Sequence, residues 1–215
     1  MRILVVNPNR IAACTRLIRD TAQAAAAPGT EITAVHPDDG PVELSGDREV
    51  LLSAMGVLAQ VDRHAERADA VIMAGFGEPG REAVRASTRA PVFDITECAP
   101  AVALTLGRDY AVVTSTPAAV PVVEDRLRAL GLGARCTGTH ATGLGVPDMV
   151  AHPAAALETV IATAASAEGE VVVLGCGGMA GMAAEVARAT GRPVVEGVAA
   201  AVTLAQATAA VVPVR

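Results

Sequence analysis

Lysine and tryptophan are absent from the 215 residues, and the aromatic side chains are only Phe76, Phe93 and Tyr110. Without lysine there is no Schiff-base chemistry of the PLP or aldolase kind and no P-loop grip on nucleotide phosphates. Three aromatics leave little with which to stack nucleobases. A net charge of -6 further disfavours nucleic acid and anionic membranes as partners. Cys14, Cys98, Cys136 and Cys176 form no CxxC pair, so neither a zinc knuckle nor a disulfide framework is expected. His36, His64, His140 and His152 show no HxxxH spacing, and no metal is expected. No apolar run approaches the roughly 20 residues of a membrane-spanning helix. The chain enters its first strand at once, without the apolar stretch of a signal peptide, so a cytoplasmic location is expected.

What is present is a chain 52% hydrophobic and 19% charged, enough to bury a sizeable core. Short β-branched runs alternate with alanine-rich stretches of helical period, the form of an α/β protein with parallel strands. The strands are expected at Ile3–Val6, Glu31–Val35, Ala70–Ala74, Pro91–Phe93, Tyr110–Thr114, Gly133–Gly138, Val171–Gly175 and Pro193–Val195. Helices are expected between them, among them Pro79–Thr88, Glu97–Leu106, Met179–Thr190 and Val198–Ala209, with Gly143–Pro147 as a turn. The order is duplicated. The segment from Asp69 to Gly77 matches that from Glu170 to Gly178, so that Gly75 stands opposite Cys176 and Pro91 opposite Pro193. This divides the chain into two pseudo-symmetric α/β domains, 1–105 and 106–215, with segment 198–215 expected to pack back onto the first. Ligands of open parallel sheets bind beyond the carboxyl ends of the strands, so two facing halves would share one cleft there.

Cys176-Gly177-Gly178 lies between a strand and an expected helix start at Met179. Free N–H groups and a positive helix end would favour the thiolate, giving a group that exchanges a proton near neutral pH. The same block also reads as a small buried hydrophobe with glycines for close packing, and local spacing does not choose between the two. Asn7, Thr114 and Ser115 fall at strand ends, where such residues either meet a ligand or close turns and cap helices.

Four segments, Ile3-Leu4-Val5-Val6-Asn7-Pro8-Asn9, Gly75-Phe76-Gly77-Glu78-Pro79-Gly80, Val113-Thr114-Ser115 and Leu174-Gly175-Cys176-Gly177-Gly178-Met179, resemble the aspartate/glutamate/hydantoin racemase superfamily, nearest its hydantoin and allantoin racemase branch. The resemblance implies two duplicated α/β domains and chemistry without PLP, metal or other cofactor. In that chemistry two cysteines exchange the α-proton from opposite faces of the substrate. It implies Cys176 as a catalytic thiol. It also implies two polar cradles, Asn7 with the Gly75, Phe76 and Gly77 backbone, and Thr114 and Ser115 with Gly177 and Gly178. The chain departs from the pattern at Gly75, where the first cysteine of the family would stand, as well as at Glu78 and at Arg10-Ile11. Arylmalonate decarboxylases resemble it in pairing glycine at the first position with cysteine at the second. Glycine there would also make room for a bulky substituent.

The expectation is therefore a racemase or isomerase acting at a carbon next to a carboxylate or carbonyl, on a small carboxylate or cyclic imide. Cys176 is its single thiol, and water or His140 is the substitute base. Decarboxylation of a malonate-type substrate with one-sided protonation, or ligand binding without turnover, are the alternatives. Cys98 and Glu97 are read as structural, Arg81 and Arg85 as surface residues. A homo-oligomer is compatible with the sequence but not specified by it.

Overall fold

The computed structural model describes residues 1–44, 46–77 and 79–211. The first sheet contains β1 (Arg2–Val6), β2 (Glu31–Val35), β3 (Ala70–Met73) and β4 (Val92–Asp94), all parallel and ordered β2-β1-β3-β4. The second contains β5 (Tyr110–Thr114), β6 (Cys136–Ala141), β7 (Val171–Leu174) and β8 (Val194–Glu196), parallel and ordered β6-β5-β7-β8. The second order repeats the first. Ile3–Val6, β3, β5 and β7 are buried throughout. Continuous apolar runs suit strands whose two faces are both covered by helices.

The covering helices are α1 (Ala12–Ala25), α2 (Asp47–His64), α3 (Arg81–Ser87), α4 (Ile95–Leu106), α5 (Ala119–Ala129), α6 (Val146–Ala151), α7 (Pro153–Ser166), α8 (Ala183–Thr190) and α9 (Gly197–Val211). The amphipathic α1 buries Cys14, Ile18 and Ala22, a stripe of i, i+4 spacing. The helices after the last strand of each sheet, α4 and α9, are mostly apolar and pack against each other. A Cβ on Gly197, the first residue of α9, would meet Ile95 Cβ at 2.7 Å, so glycine permits this close approach. Helix α9 also lies on α1, β3 and β4, while α4 reaches β7 and β8. One core cluster accordingly draws from both sheets, with Ile3, Ile72, Val112 and Val173 among its members.

Four local expectations are corrected. The strand expected at Gly133–Gly138 is β6, at Cys136–Ala141. Residues Gly133–Arg135 instead form a 3-10 turn that completes the exit from α5, helped by Gly131 at φ +73 and by Leu132 N–H donating to Leu127 O at 2.9 Å. The turn expected at Gly143–Pro147 runs into α6, with Pro147 in its first turn, where a missing N–H costs nothing. The helix expected from Met179 starts at Ala183, because Gly177–Met179 is a 3-10 turn and Gly181 follows at φ +83. Helix α4 starts at Ile95, two residues ahead of expectation, since Asp94 caps it by accepting Glu97 N–H at 2.8 Å. Among the described residues, no helix is long and apolar enough to cross a membrane.

Candidate functional site

The carboxyl ends of β1, β3, β5 and β7 bring Pro8 and Asn9, Gly75 and Phe76, Thr114 and Ser115, and Gly175 to Gly178 around one cavity of about 70 Å³. Glu43 and Leu44 from the β2–α2 loop, Ala119 and Val146 complete its lining. The volume corresponds to two or three waters at roughly 30 Å³ each. Larger grooves lie elsewhere, such as one of about 570 Å³ along α5 and β6, but they do not gather strand-end groups from both sheets.

Cys176 is 9% exposed, and its Sγ accepts the Gly178 N–H at 3.4 Å. Burial pushes the thiol up, the Gly178 N–H and the Ser115 hydroxyl pull it down, and the negative charge of Glu43 adds to the rise. The net direction is upward. This corrects the thiolate expected from a helix start, because the segment after Cys176 is a three-residue 3-10 turn and desolvation outweighs the local donors. At neutral pH Cys176 is a protonated thiol, an acid ready to give a proton.

The opposite wall carries Gly75. A Cβ there would fall 2.6 Å from Pro8 Cγ, so the volume that glycine vacates is taken up by the proline ring. The room expected for a bulky substituent at this position is thereby filled. A Cβ would also press on its surroundings at Gly177, where it would meet the Ala74 carbonyl oxygen at 3.0 Å, and at Gly178, where it would meet Met149 Sδ at 3.1 Å.

Of the other residues singled out in the sequence, Phe76, Thr114 and Ser115 line the cavity with Gly177 and Gly178. Thr114 Oγ1 donates to Gly175 O at 3.3 Å, tying β5 to β7 at the cleft floor. Asn7 and Gly77 stand outside the lining. Asn7 is buried beneath it and donates to Asn9 Oδ1 at 3.1 Å and Thr15 Oγ1 at 3.0 Å. Gly77 N–H donates to Thr96 Oγ1 at 3.0 Å. Among the described residues, the N–H groups of Gly75, Phe76 and Ser115 have no acceptor, which leaves them for oxygen atoms of a ligand.

His140 lies within β6, at the far edge of the second sheet, and does not line the cavity. Cys98 and Cys14 are buried, each pushed up to about 12 chiefly by desolvation. Glu97 pairs with Arg81 and with Arg85, the latter at 3.2 Å. Arg81, expected at the surface, is 4% exposed and forms an ion pair with Asp94, Nε to Oδ2 at 2.8 Å. Glu78 lies outside the described residues. Glu43, Leu44, Ala119 and Val146 had no motif to mark them as site residues, since they come from loops and helix starts rather than from repeated strand-end blocks. Among the described residues no three His, Cys, Asp or Glu side chains gather as metal ligands would.

A family profile described as Asp/Glu/hydantoin racemase matches residues 3–205. The hydantoin racemase of Rhizobium meliloti is 33% identical over 212 residues, covering 96% of this chain and 88% of that protein. The crystal structure of allantoin racemase from Pseudomonas fluorescens superposes with a TM-score of 0.94 at 43% identity, covering 98% of this chain and 92% of that one. Allantoin racemase from Klebsiella pneumoniae gives 0.93 at 35% identity, with 98% and 88% covered.

Proposed function

This chain belongs to the Asp/Glu/hydantoin racemase family, as a cofactor-independent enzyme like the hydantoin and allantoin racemases, and from that premise we propose that it moves a proton at the α-carbon of a cyclic imide or related small carboxylate with Cys176 as its single thiol. The observation that carries this reading is the thiol itself. It sits at the floor of the cleft shared by the two sheets, held protonated by burial and bordered by neutral donors. The N–H groups of Gly75, Phe76 and Ser115 and the hydroxyl of Ser115 would receive the carbonyl oxygens whose charge grows as the α-carbon loses its proton. Neutral, preoriented donors in a dry cleft stabilise that charge without a metal. A base on the other face takes the α-proton, and Cys176 delivers its own proton to the opposite face of the enolate.

Gly75 in this reading occupies the place of the family's first cysteine. Asn7, beneath the cleft, holds Asn9 in shape, and Gly77 anchors the wall through Thr96. We take the two units as 1–105 and 106–215, and the packing of α9 on α1 and α4 supports assigning the last helix to the first unit's core. One-sided protonation after loss of carbon dioxide is the second reading, favoured by the protonated state of Cys176 opposite a wall without a thiol.

Proton NMR in deuterium oxide tests both, with allantoin, 5-substituted hydantoins, amino acids and substituted malonates as substrates. Loss of the α-proton signal without release of carbon dioxide supports the first reading. Carbon dioxide release with one deuterium placed stereospecifically supports the second. Undiminished turnover in Cys176→Ala overturns both.

A further inference from the structure

Inversion at a carbon acid needs a base on one face and an acid on the other. The Gly75 wall supplies no side chain, and Pro8 fills its Cβ position. Among the described residues, the lining holds two side chains that titrate, Cys176 and Glu43. We propose that Glu43 is the second proton-transfer group of this cleft, taking the α-proton of the enantiomer whose hydrogen faces away from Cys176. The proposal rests on the carbon-acid reading above and deepens it.

The carboxylate is held in place from the other half of the molecule. Glu43 belongs to the β2–α2 loop of the first half, and its Oε1 accepts the Val146 N–H at 3.3 Å, at the start of α6 in the second. Gly145 leaves space for it, since a Cβ there would collide with Oε1. The second oxygen, Oε2, accepts no hydrogen bond from the described residues. One oxygen is thus anchored and the other is available to accept a proton, within the same cavity as the thiol. Both groups line this one cavity, and the negative charge of Glu43 adds to the upward push on the Cys176 thiol.

The proton balance closes. Glu43 Oε2 takes the α-proton as the C–H electron pair moves into the enolate, and Cys176 S–H then gives its proton to the opposite face. The enzyme is left with a carboxylic acid and a thiolate. It resets either by turning over the other enantiomer in reverse or by exchanging protons with water.

The test follows each enantiomer of allantoin and of 5-methylhydantoin separately in deuterium oxide, with wild type, Glu43→Gln and Cys176→Ala. Glutamine keeps an oxygen for Val146 N–H but cannot take the proton. Glu43→Gln should slow α-proton loss from the enantiomer whose hydrogen faces away from Cys176 by about 100-fold or more, while at an alkaline pH that ionises Cys176 the other still exchanges without inverting. Cys176→Ala should show the reverse preference. Equal slowing of both enantiomers, or a change below about threefold, would overturn the role of Glu43 and leave that of Cys176 standing. Insensitivity to Cys176→Ala would overturn the reading beneath it. A second measurement needs no turnover: alkylation of Cys176 by iodoacetamide, followed by peptide mass spectrometry. Removing the carboxylate charge should speed it several-fold, and an unchanged rate would show that the two groups are not neighbours.

Discussion

The two halves agree at the bottom of their sheets and differ at the top. Below, Asp69 ahead of β3 accepts the Arg2 N–H at 2.7 Å and pairs with its guanidinium, while Glu170 ahead of β7 accepts the Arg108 N–H at 2.8 Å and pairs likewise. Both carboxyls are held below their usual range by these arginines. Above, Gly75 faces Cys176, and the carboxylates that cap α4 and α9 have different company. Asp94 forms an ion pair with the buried Arg81, whereas Glu196 accepts only the N–H groups of Val198 and Ala199, at 2.9 and 2.8 Å, among the described residues. The repeat spacing places Met182 opposite Arg81, so the second half lacks that cation. A duplicated scaffold keeps its strand staples, and the divergence gathers where strands end and chemistry happens.

The sharpest way to break this comparison is at the thiol. Cys176→Ala is expected to lower α-proton exchange of the enantiomer whose hydrogen faces Cys176 by about 10²- to 10⁴-fold, the usual worth of a positioned acid or base. Cys98→Ala, which removes a buried thiol in α4 outside the cavity, should leave the rate within a few-fold. Steady-state loss of the α-proton signal measures both. Next comes the buried pair of the first half. Arg81→Met copies the second half and strands Asp94, which is 0% exposed. A loss of about 3–5 kcal/mol is expected in urea unfolding. Adding Asp94→Asn should recover much of it, because an uncharged cap no longer needs the cation.

Much of the fold was legible because parallel strands covered on both faces must be continuously apolar, as Val171–Leu174 is, and because the repeat kept register through Gly75 and Cys176. The Gly75, Thr114 and Cys176 regions were readable as one cleft from the rule that strand ends converge. Glu43 was not. Its role depends on Val146 and Gly145, about a hundred residues away, and nothing in a loop sequence announces which distant N–H it will accept. The state of the thiol is not legible in the sequence for a related reason. Whether a glycine pair opens a helix or a 3-10 turn depends on the left-handed Gly181 beyond it, and burial is a property of the packed whole.

A smaller effect is expected at Gly75, where the first half resists becoming like the second. Gly75→Ala presses a Cβ against the ring of Pro8 and should cost about 1–3 kcal/mol, as overpacking does. In a Pro8→Ala background the same change should be nearly free. That coupling, read in a double-mutant cycle of urea midpoints, separates the collision from any intrinsic need for glycine. If the cost persists without the proline ring, the glycine is answering some other constraint.

The gentlest test concerns Glu196. Burial pushes its carboxyl up against the pull of two backbone N–H groups, the opposite direction to Asp69 and Glu170. Between the unfolded and folded titrations the native protein holds a proton that the unfolded chain has released. The contribution is therefore complete below the unfolded carboxyl range and is lost as pH rises through the folded one. For Asp69 and Glu170 the sign reverses, their contribution being present at neutral pH and lost on acidification. Glu196→Gln should remove the falling limb above the ordinary carboxylate range while leaving the acid limb in place, at the cost of the hydrogen bond from Ala199 N–H that a carboxamide nitrogen cannot accept. Urea midpoints of wild type and variant across pH 4 to 8 decide it. Parallel curves would mean that Glu196 ionises as readily in the fold as outside it, and the missing arginine of the second half would then have no electrostatic consequence.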